Sequence, residues 1–336
     1  MNILFTCAGR RNYLLRYFRE ELKGRGKIFA ADMSDTAPAL QEADVTFTVP
    51  AVADKNYIPS LLDICSTNNI DLVISLNDME LPILAASKKD FENQGTKLLV
   101  SSSDVIDVCF DKLKTCEYLA ANGFTYPTSY TDLSAAQNAL KAGQLFFPLI
   151  VKPRWGSAST QIYKVSSEAE LELAFKLAGI QLQKTSLQVD ESLICESILI
   201  QECLPGDEYG LDILNDMSGN VCAVYVKRKL EMRAGETDKS YLVEEPLLAD
   251  LGARIGTTLR HIGNLDCDVF YDGEKAVVLE LNPRFGGGYP FSHTLGANYP
   301  KAILQWCRGL SYDCDLFEIN TSSVVSKCDA LLVLTR

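Results

Sequence analysis

The chain has 336 residues, 47% of them hydrophobic, and a formal charge of −12. Its length is too great for one typical domain and suits two or three, with ample apolar material for their cores. The acidic balance argues against a nucleic-acid partner, whose phosphates favour a basic surface. No apolar run approaches the ~20 residues that span a bilayer, so no membrane partner is expected either. The 11 cysteines are odd in number and include no Cys-x-x-Cys pair, and Met1-Asn2-Ile3-Leu4-Phe5 reads as a strand rather than a targeting leader. Together these features point to reduced thiols and a cytoplasmic location. The two histidines, His261 and His293, leave little material for His-based metal or triad chemistry.

The first hundred residues alternate strand and helix patterns. Strands are expected over Asn2–Cys7, Lys27–Ala31, Asp44–Val49, Asp71–Leu76 and Lys97–Val100, with helices to about Lys23, over Tyr57–Asn68 and to about Asn93. Such alternation predicts a parallel, doubly wound sheet, which binds ligands beyond the carboxyl ends of its strands. Gly9, Arg10, Asp32, Asn77, Asp78 and Glu80 all lie at such ends. A nicotinamide site is disfavoured, because Thr6–Asn12 offers one glycine where the dinucleotide fingerprint needs three.

A helix is expected over Asp104–Asn122, ended by Gly123, and beyond it the pattern becomes mixed α+β. Helices are expected over Leu133–Ala142, Glu168–Leu177 and Glu245–Ile262. Strands are expected over Phe147–Lys152, Gln161–Val165, Ile194–Glu202, Glu208–Asn215 and Val221–Arg228. The polar stretch from Lys227 to Asp238, with Arg233 and Gly235, reads as a loop, either closing over a substrate or simply solvated. Asp268–Tyr271 and Val277–Asn282 form a hairpin around Asp272-Gly273-Glu274.

That hairpin carries the most pointed chemistry. Glu280 and Asn282, two apart on a strand, leave one face, and with Asp268 they could converge on a hard cation. The plainer alternative is a hairpin whose Asn282-Pro283 starts a turn. Lys152, at the end of an apolar strand and before Pro153, suits a phosphate or an ordinary strand end. The small, hydroxyl-rich loop Arg154–Thr160 could offer backbone N–H groups to phosphate oxygens. In Gln201–Glu208 a strand breaks at Pro205-Gly206, leaving main chain to read a base edge and Glu208 to meet ribose hydroxyls, or else forming a bent hairpin.

Taken in order, Asp111-Lys112, Val151-Lys152-Pro153, Gln201–Glu208, Asp268 and Glu280-Leu281-Asn282-Pro283-Arg284 resemble the ATP-grasp superfamily. Within it the chain is similar to single-module carboxylate–amine ligases of the carbamoyl-phosphate-synthase large-chain type, to about residue 305. The resemblance implies a Rossmann-like pre-ATP-grasp domain over 1–110, an N-terminal ATP-grasp subdomain over 111–195 with a small lid near 125–190, and a C-terminal subdomain over 196–336. It implies that ATP is bound by Lys112, Lys152, Ser157, Ser159, Gln201, Glu202, Leu204 and Glu208. Asp268, Glu280 and Asn282 would bind two Mg²⁺ ions, with Mn²⁺ as an alternative. Lys152, Asn282 and Arg284 would act in catalysis, and Arg10, Arg11, Asp78, Glu80, Arg233, Arg284 and Gly287 would border the substrate. The implied reaction joins a carboxylate to an amine, or a thiol, through an acyl phosphate, releasing ADP and phosphate. Its small-molecule partners are therefore the carboxylate and the amine, and a homodimer is a family-level expectation. A phosphotransferase and a non-catalytic ATP-binding sensor are the alternatives.

Overall fold

In the computed structural model, residues 1–156, 161–184, 194–311, 314–319 and 323–334 are described. The chain opens with β1 (Ile3–Thr6), α1 (Asn12–Leu22), β2 (Ile28–Asp32), β3 (Val45–Thr48) and α2 (Tyr57–Asn68). It continues through β4 (Leu72–Ser75), α3 (Leu81–Ala86), α4 (Lys88–Asn93) and β5 (Lys97–Leu98). These strands form a parallel sheet in the order β3-β2-β1-β4-β5, so the strand order reverses at β1. Ile3 and Phe5 enter one core while Leu4 enters another on the opposite face. Successive strand residues alternate in direction, so continuous apolar runs are what a sheet covered on both faces requires.

Next come α5 (Ser103–Phe110) and α6 (Lys112–Ala121), where one helix over Asp104–Asn122 was expected. The helix breaks because Asp111 is extended, at φ −103° and ψ 109°, and its carboxylate accepts the N–H of Leu113 at 3.0 Å. Aspartate gains more as an N-cap than within a helix. Arg154 forks onto the same carboxylate at 2.6 and 2.7 Å, fixing the break and placing Lys112 at the head of α6.

A small antiparallel sheet follows, built from β6 (Ser129–Tyr130), β7 (Leu149–Pro153), β8 (Tyr163–Val165) and β9 (Ile198–Glu202) in the order β6-β9-β7-β8. The helices α7 (Leu133–Lys141) and α8 (Glu168–Leu182) share its core. The third sheet holds β10 (Asp207–Asn215), β11 (Val221–Arg233), β12 (Glu236–Leu242), β13 (Gly263–Tyr271), β14 (Ala276–Asn282) and β15 (Val324–Ser326). Its order is β14-β13-β10-β11-β12-β15, with every pairing antiparallel. Helix α9 (Pro246–Leu259) lies so close to it that a Cβ on Gly252 would sit 2.6 Å from Val224 Cγ1. The helices α10 (Tyr289–Thr294) and α11 (Tyr299–Cys307) complete the fold.

The stretch expected to be a loop from Lys227 to Asp238 is instead the tip of the β11–β12 hairpin. It turns at Ala234-Gly235, whose φ values of 50° and 78° are those of a tight hairpin turn. Its strand character was masked because the alternate residues facing inward, Lys227 and Lys229, are charged. The architecture is thus an N-terminal parallel-sheet domain followed by antiparallel sheets, as the resemblance implied. The two parts share a core, since Phe5, Leu14 and Phe18 pack in one cluster with Tyr225, Phe285, Tyr289 and Tyr299. Among the described residues, no helix is long and apolar enough to cross a membrane.

Candidate functional site

A cavity of about 480 Å³ opens where the small sheet, the large sheet and the β1–α1 turn meet. One end is built by β7 and β9. Lys152 faces it from β7, buried, and its ammonium is depressed to about 8 by burial and then by nearby Lys112. Lys112 donates to the Gly156 carbonyl at 2.6 Å. Gln201, Glu202 and Leu204 also line this end, but two of these side chains are engaged within the protein. Gln201 donates to Ser129 Oγ at 2.8 Å, and Glu202 accepts the Thr128 N–H at 2.7 Å. The strand pairing of β9 with β7 stops at Glu202, so the chain through Cys203 and Leu204 borders the cavity as it leaves the sheet.

The floor is a block of polar side chains on the large sheet. Asp268 lies opposite Glu280 and Asp266 opposite Asn282, so all four share one face of the β13–β14 pair. Asn282 donates to Glu280 Oε1 at 3.1 Å. On the neighbouring strands, Gly210 lies beside Asp268 and Lys227. A Cβ at Gly210 would press on Lys229 Cε at 3.3 Å, so this glycine lets the lysine stem cross the sheet. Lys229 then bridges Glu208 and Asp268, both at 2.6 Å.

Electrostatics separates these groups. Burial alone would lower Lys229, but Asp268 and Glu208 hold it well above its usual range. Burial pushes Asp268 up, opposed by Lys229. Burial would also raise Glu280, yet Lys112 and Lys152 hold it below the usual carboxylate range. Among the described residues, no three His, Cys, Asp or Glu side chains form a metal cage. Asp268, Glu280 and Asn282 are hard oxygen donors, two carboxylates and an amide. This set fits Mg²⁺, which usually takes one or two carboxylates and completes its shell with phosphate and water.

At the opposite end Arg284 is buried and tied twice, to Asp78 at 2.8 Å and to Asp266 at 3.2 Å. Burial opposes its charge, but the two aspartates hold the guanidinium above its normal range. The glycines that follow make room for charged neighbours. A Cβ on Gly286 would lie 2.1 Å from the Asp266 carboxyl carbon, and one on Gly287 would lie 2.9 Å from that of Glu236. Arg11 reaches this end from the first domain, donating to the Phe285 carbonyl at 2.6 Å and lying 3.6 Å from Glu236.

Lys112, Lys152, Gln201, Glu202, Leu204, Glu208, Asp268, Glu280, Asn282, Arg284, Arg11 and Gly287 therefore border one cavity. Asp78 stands behind Arg284, on a small adjoining cavity shared with Lys112, Glu280 and Asn282. Glu80 is not on the cavity wall: it has no exposure and accepts from Thr6, Tyr57 and Ser75 at 2.6–2.8 Å, joining the ends of β1 and β4. Arg10 is exposed and does not line the cavity. Arg233 points outward to Asp238 and Asp329, at 2.9 and 2.6 Å. His293 stacks on Tyr17 at 3.6 Å and is a packing residue. Ser157 and Ser159 lie outside the described residues. Asp266 was missed from sequence, and Lys229 and Glu236 entered only as part of the Lys227–Asp238 stretch, with no role of their own. Carrying the two-residue period of Lys227/Lys229 and of Asp266/Asp268 along their strands would have found Lys229 and Asp266.

Comparison with known proteins finds two matching stretches of the chain. Residues 3–99 match the family model of the PylC-like N-terminal domain, and residues 145–290 match that of the ATP-grasp domain. The large chain of carbamoyl phosphate synthase from Campylobacter jejuni is 24% identical over 205 residues, which is 59% of this chain but 18% of that protein. The chain thus spans about a fifth of the length of this relative. Among solved structures, biotin carboxylase from Campylobacter jejuni superposes with a TM-score of 0.74 at 16% identity, over 95% of this chain and 73% of that one. The L-amino acid ligase from Bacillus licheniformis gives 0.65 at 18% identity, over 90% and 73%.

Proposed function

Because the chain belongs to the ATP-grasp superfamily, we propose that it is an ATP-dependent carboxylate–amine ligase that works through an acyl phosphate. The observation that carries this reading is the facing of Lys112 and Lys152 toward the Asp268–Glu280–Asn282 group across one cavity, with Arg284 at the far end. Bound MgATP supplies the phosphoryl group that turns a poor carboxylate electrophile into an acyl phosphate. Lys112 and Lys152 neutralise phosphate oxygens as point charges at one end. Asp268, Glu280 and Asn282 would hold Mg²⁺, which would supply positive charge for the phosphate oxygens. The main chain beyond Glu202 would meet the base, and Glu208 would meet the ribose, since both line the cavity. Arg284 opposes the charge that builds on the transferred group, in a site where its orientation is already set by Asp78 and Asp266. An amine then attacks the acyl carbon and phosphate departs, with no side-chain nucleophile needed.

The acceptor end favours an amino-acid-like carboxylate, since Arg11 and Arg284 are balanced there by Glu236 and Asp266. A panel of L-amino acids, singly and in pairs with MgATP, tests the reading through ADP release. Turnover that Glu280→Gln abolishes is expected. The absence of ADP release across the panel, or release of AMP instead, overturns it.

A further inference from the structure

Beyond the stretches matched by either family model, the C-terminal segment returns to the cavity. Strand β15 pairs with β12 through Lys239↔Ser326 and Tyr241↔Val324, covering what is otherwise the edge of the large sheet. The next residue, Lys327, donates its backbone N–H to the Asp238 carbonyl at 2.8 Å. Its ammonium lies 3.1 Å from Glu236 Oε2 and 5.9 Å from the centre of the Phe291 ring. Glu236 is on the cavity wall, pressed against Gly287 and flanked on its other oxygen by Arg11 at 3.6 Å. Three distant parts of the chain therefore meet on one carboxylate. Burial would raise Glu236, but Lys327 and then Arg11 hold it below the usual carboxylate range, so it stays charged at neutral pH.

We infer that Lys327 is a specificity-determining positioning residue for the acceptor: it holds Glu236 against Gly287 and so fixes one wall of the acceptor end. The inference rests on the ligase reading. A partly exposed ion pair of this kind contributes little to folding, so removing it leaves a folded protein whose acceptor wall is loose. Among the described residues, the hydrogen bonds and ion pairs of Lys327 go to Asp238, Ser326 and Glu236 and not to the nucleotide end formed by β7, β9 and the β13–β14 block, which keeps its geometry.

The test compares wild type with Lys327→Met and Lys327→Arg, using MgATP and the L-amino acids that give ADP release. Lys327→Met is expected to raise the KM for the amino acid about tenfold, with kcat and the KM for ATP within about twofold. Lys327→Arg keeps the charge and restores the wild-type value. An unchanged amino-acid KM in Lys327→Met, or an equal rise in the ATP KM, overturns the inference. If the wild type releases no ADP, the ligase reading fails by itself, and the hold on Glu236 is read from hydrogen exchange. Amides of Gly287 and Gly288 then exchange about tenfold faster in Lys327→Met, and unchanged rates overturn the inference.

Discussion

Arg284 is worth following as a single side chain, because its two ion pairs come from different parts of the fold. Asp78 belongs to the first domain and Asp266 to β13, and together they fix the plane of the guanidinium. A lysine keeps the charge but lacks the rigid fork. Arg284→Lys is therefore expected to lower kcat about a hundredfold with the KM for ATP nearly unchanged, as steady-state kinetics would show. Lys152 makes a pH-dependent prediction. Its ammonium is depressed to about 8 by burial and by Lys112, so the free protein is partly deprotonated there at pH 8. Nucleotide phosphates favour the charged form and raise that value, so binding takes up a proton. Calorimetry of ATP binding at pH 8, in buffers of different ionisation heat, should show more uptake in wild type than in Lys152→Met. The difference should vanish at pH 6, where the ammonium is already charged.

At the scale of elements, the β13–β14 hairpin and the glycine turn after it act as one piece. Gly286 has Asp266 where a side chain would be, and Asp266 is in turn held by Arg284. Gly286→Ala must push that carboxylate aside. It should cost about 1–3 kcal/mol in urea unfolding, typical of overpacking, and also lose turnover. The hairpin itself was legible in sequence, since Val277-Val278-Leu279 marks a buried strand and Asp272-Gly273 a turn. So was the parallel sheet, through its apolar runs. The break at Asp111 was not, because one carboxylate capping a helix looks the same in sequence as one on its surface. Nor was the continuation of β11 past the expected Val221–Arg228 into β12, where inward lysines disguise the alternation by which strands are recognised.

For the molecule as a whole, what sequence could not supply is long-range pairing. Arg284 with Asp78, and Lys327 with Glu236, are contacts across 206 and 91 residues, and no local pattern encodes them. Global stability offers a check on one buried polar residue. His261 is fully buried, its Nε2 lies 3.0 Å from the Ile213 carbonyl, and burial lowers its pKa to about 4. In the unfolded chain it titrates near ~6.5. Between those values the unfolded state binds the extra proton, so stability is full above about pH 6.5 and is lost as pH falls toward 4. Urea unfolding should show a loss on the order of 2–3 kcal/mol from this residue, and His261→Gln should flatten that part of the profile.

In the proposed ligase a carboxylate is activated by phosphorylation before the amine attacks. Oxygen-18 placed in the carboxylate of the accepted amino acid can be followed during turnover with MgATP. One labelled oxygen is expected in each phosphate released with ADP. Phosphate carrying no label, with both labelled oxygens retained in the carboxylate or its product, would contradict that activation.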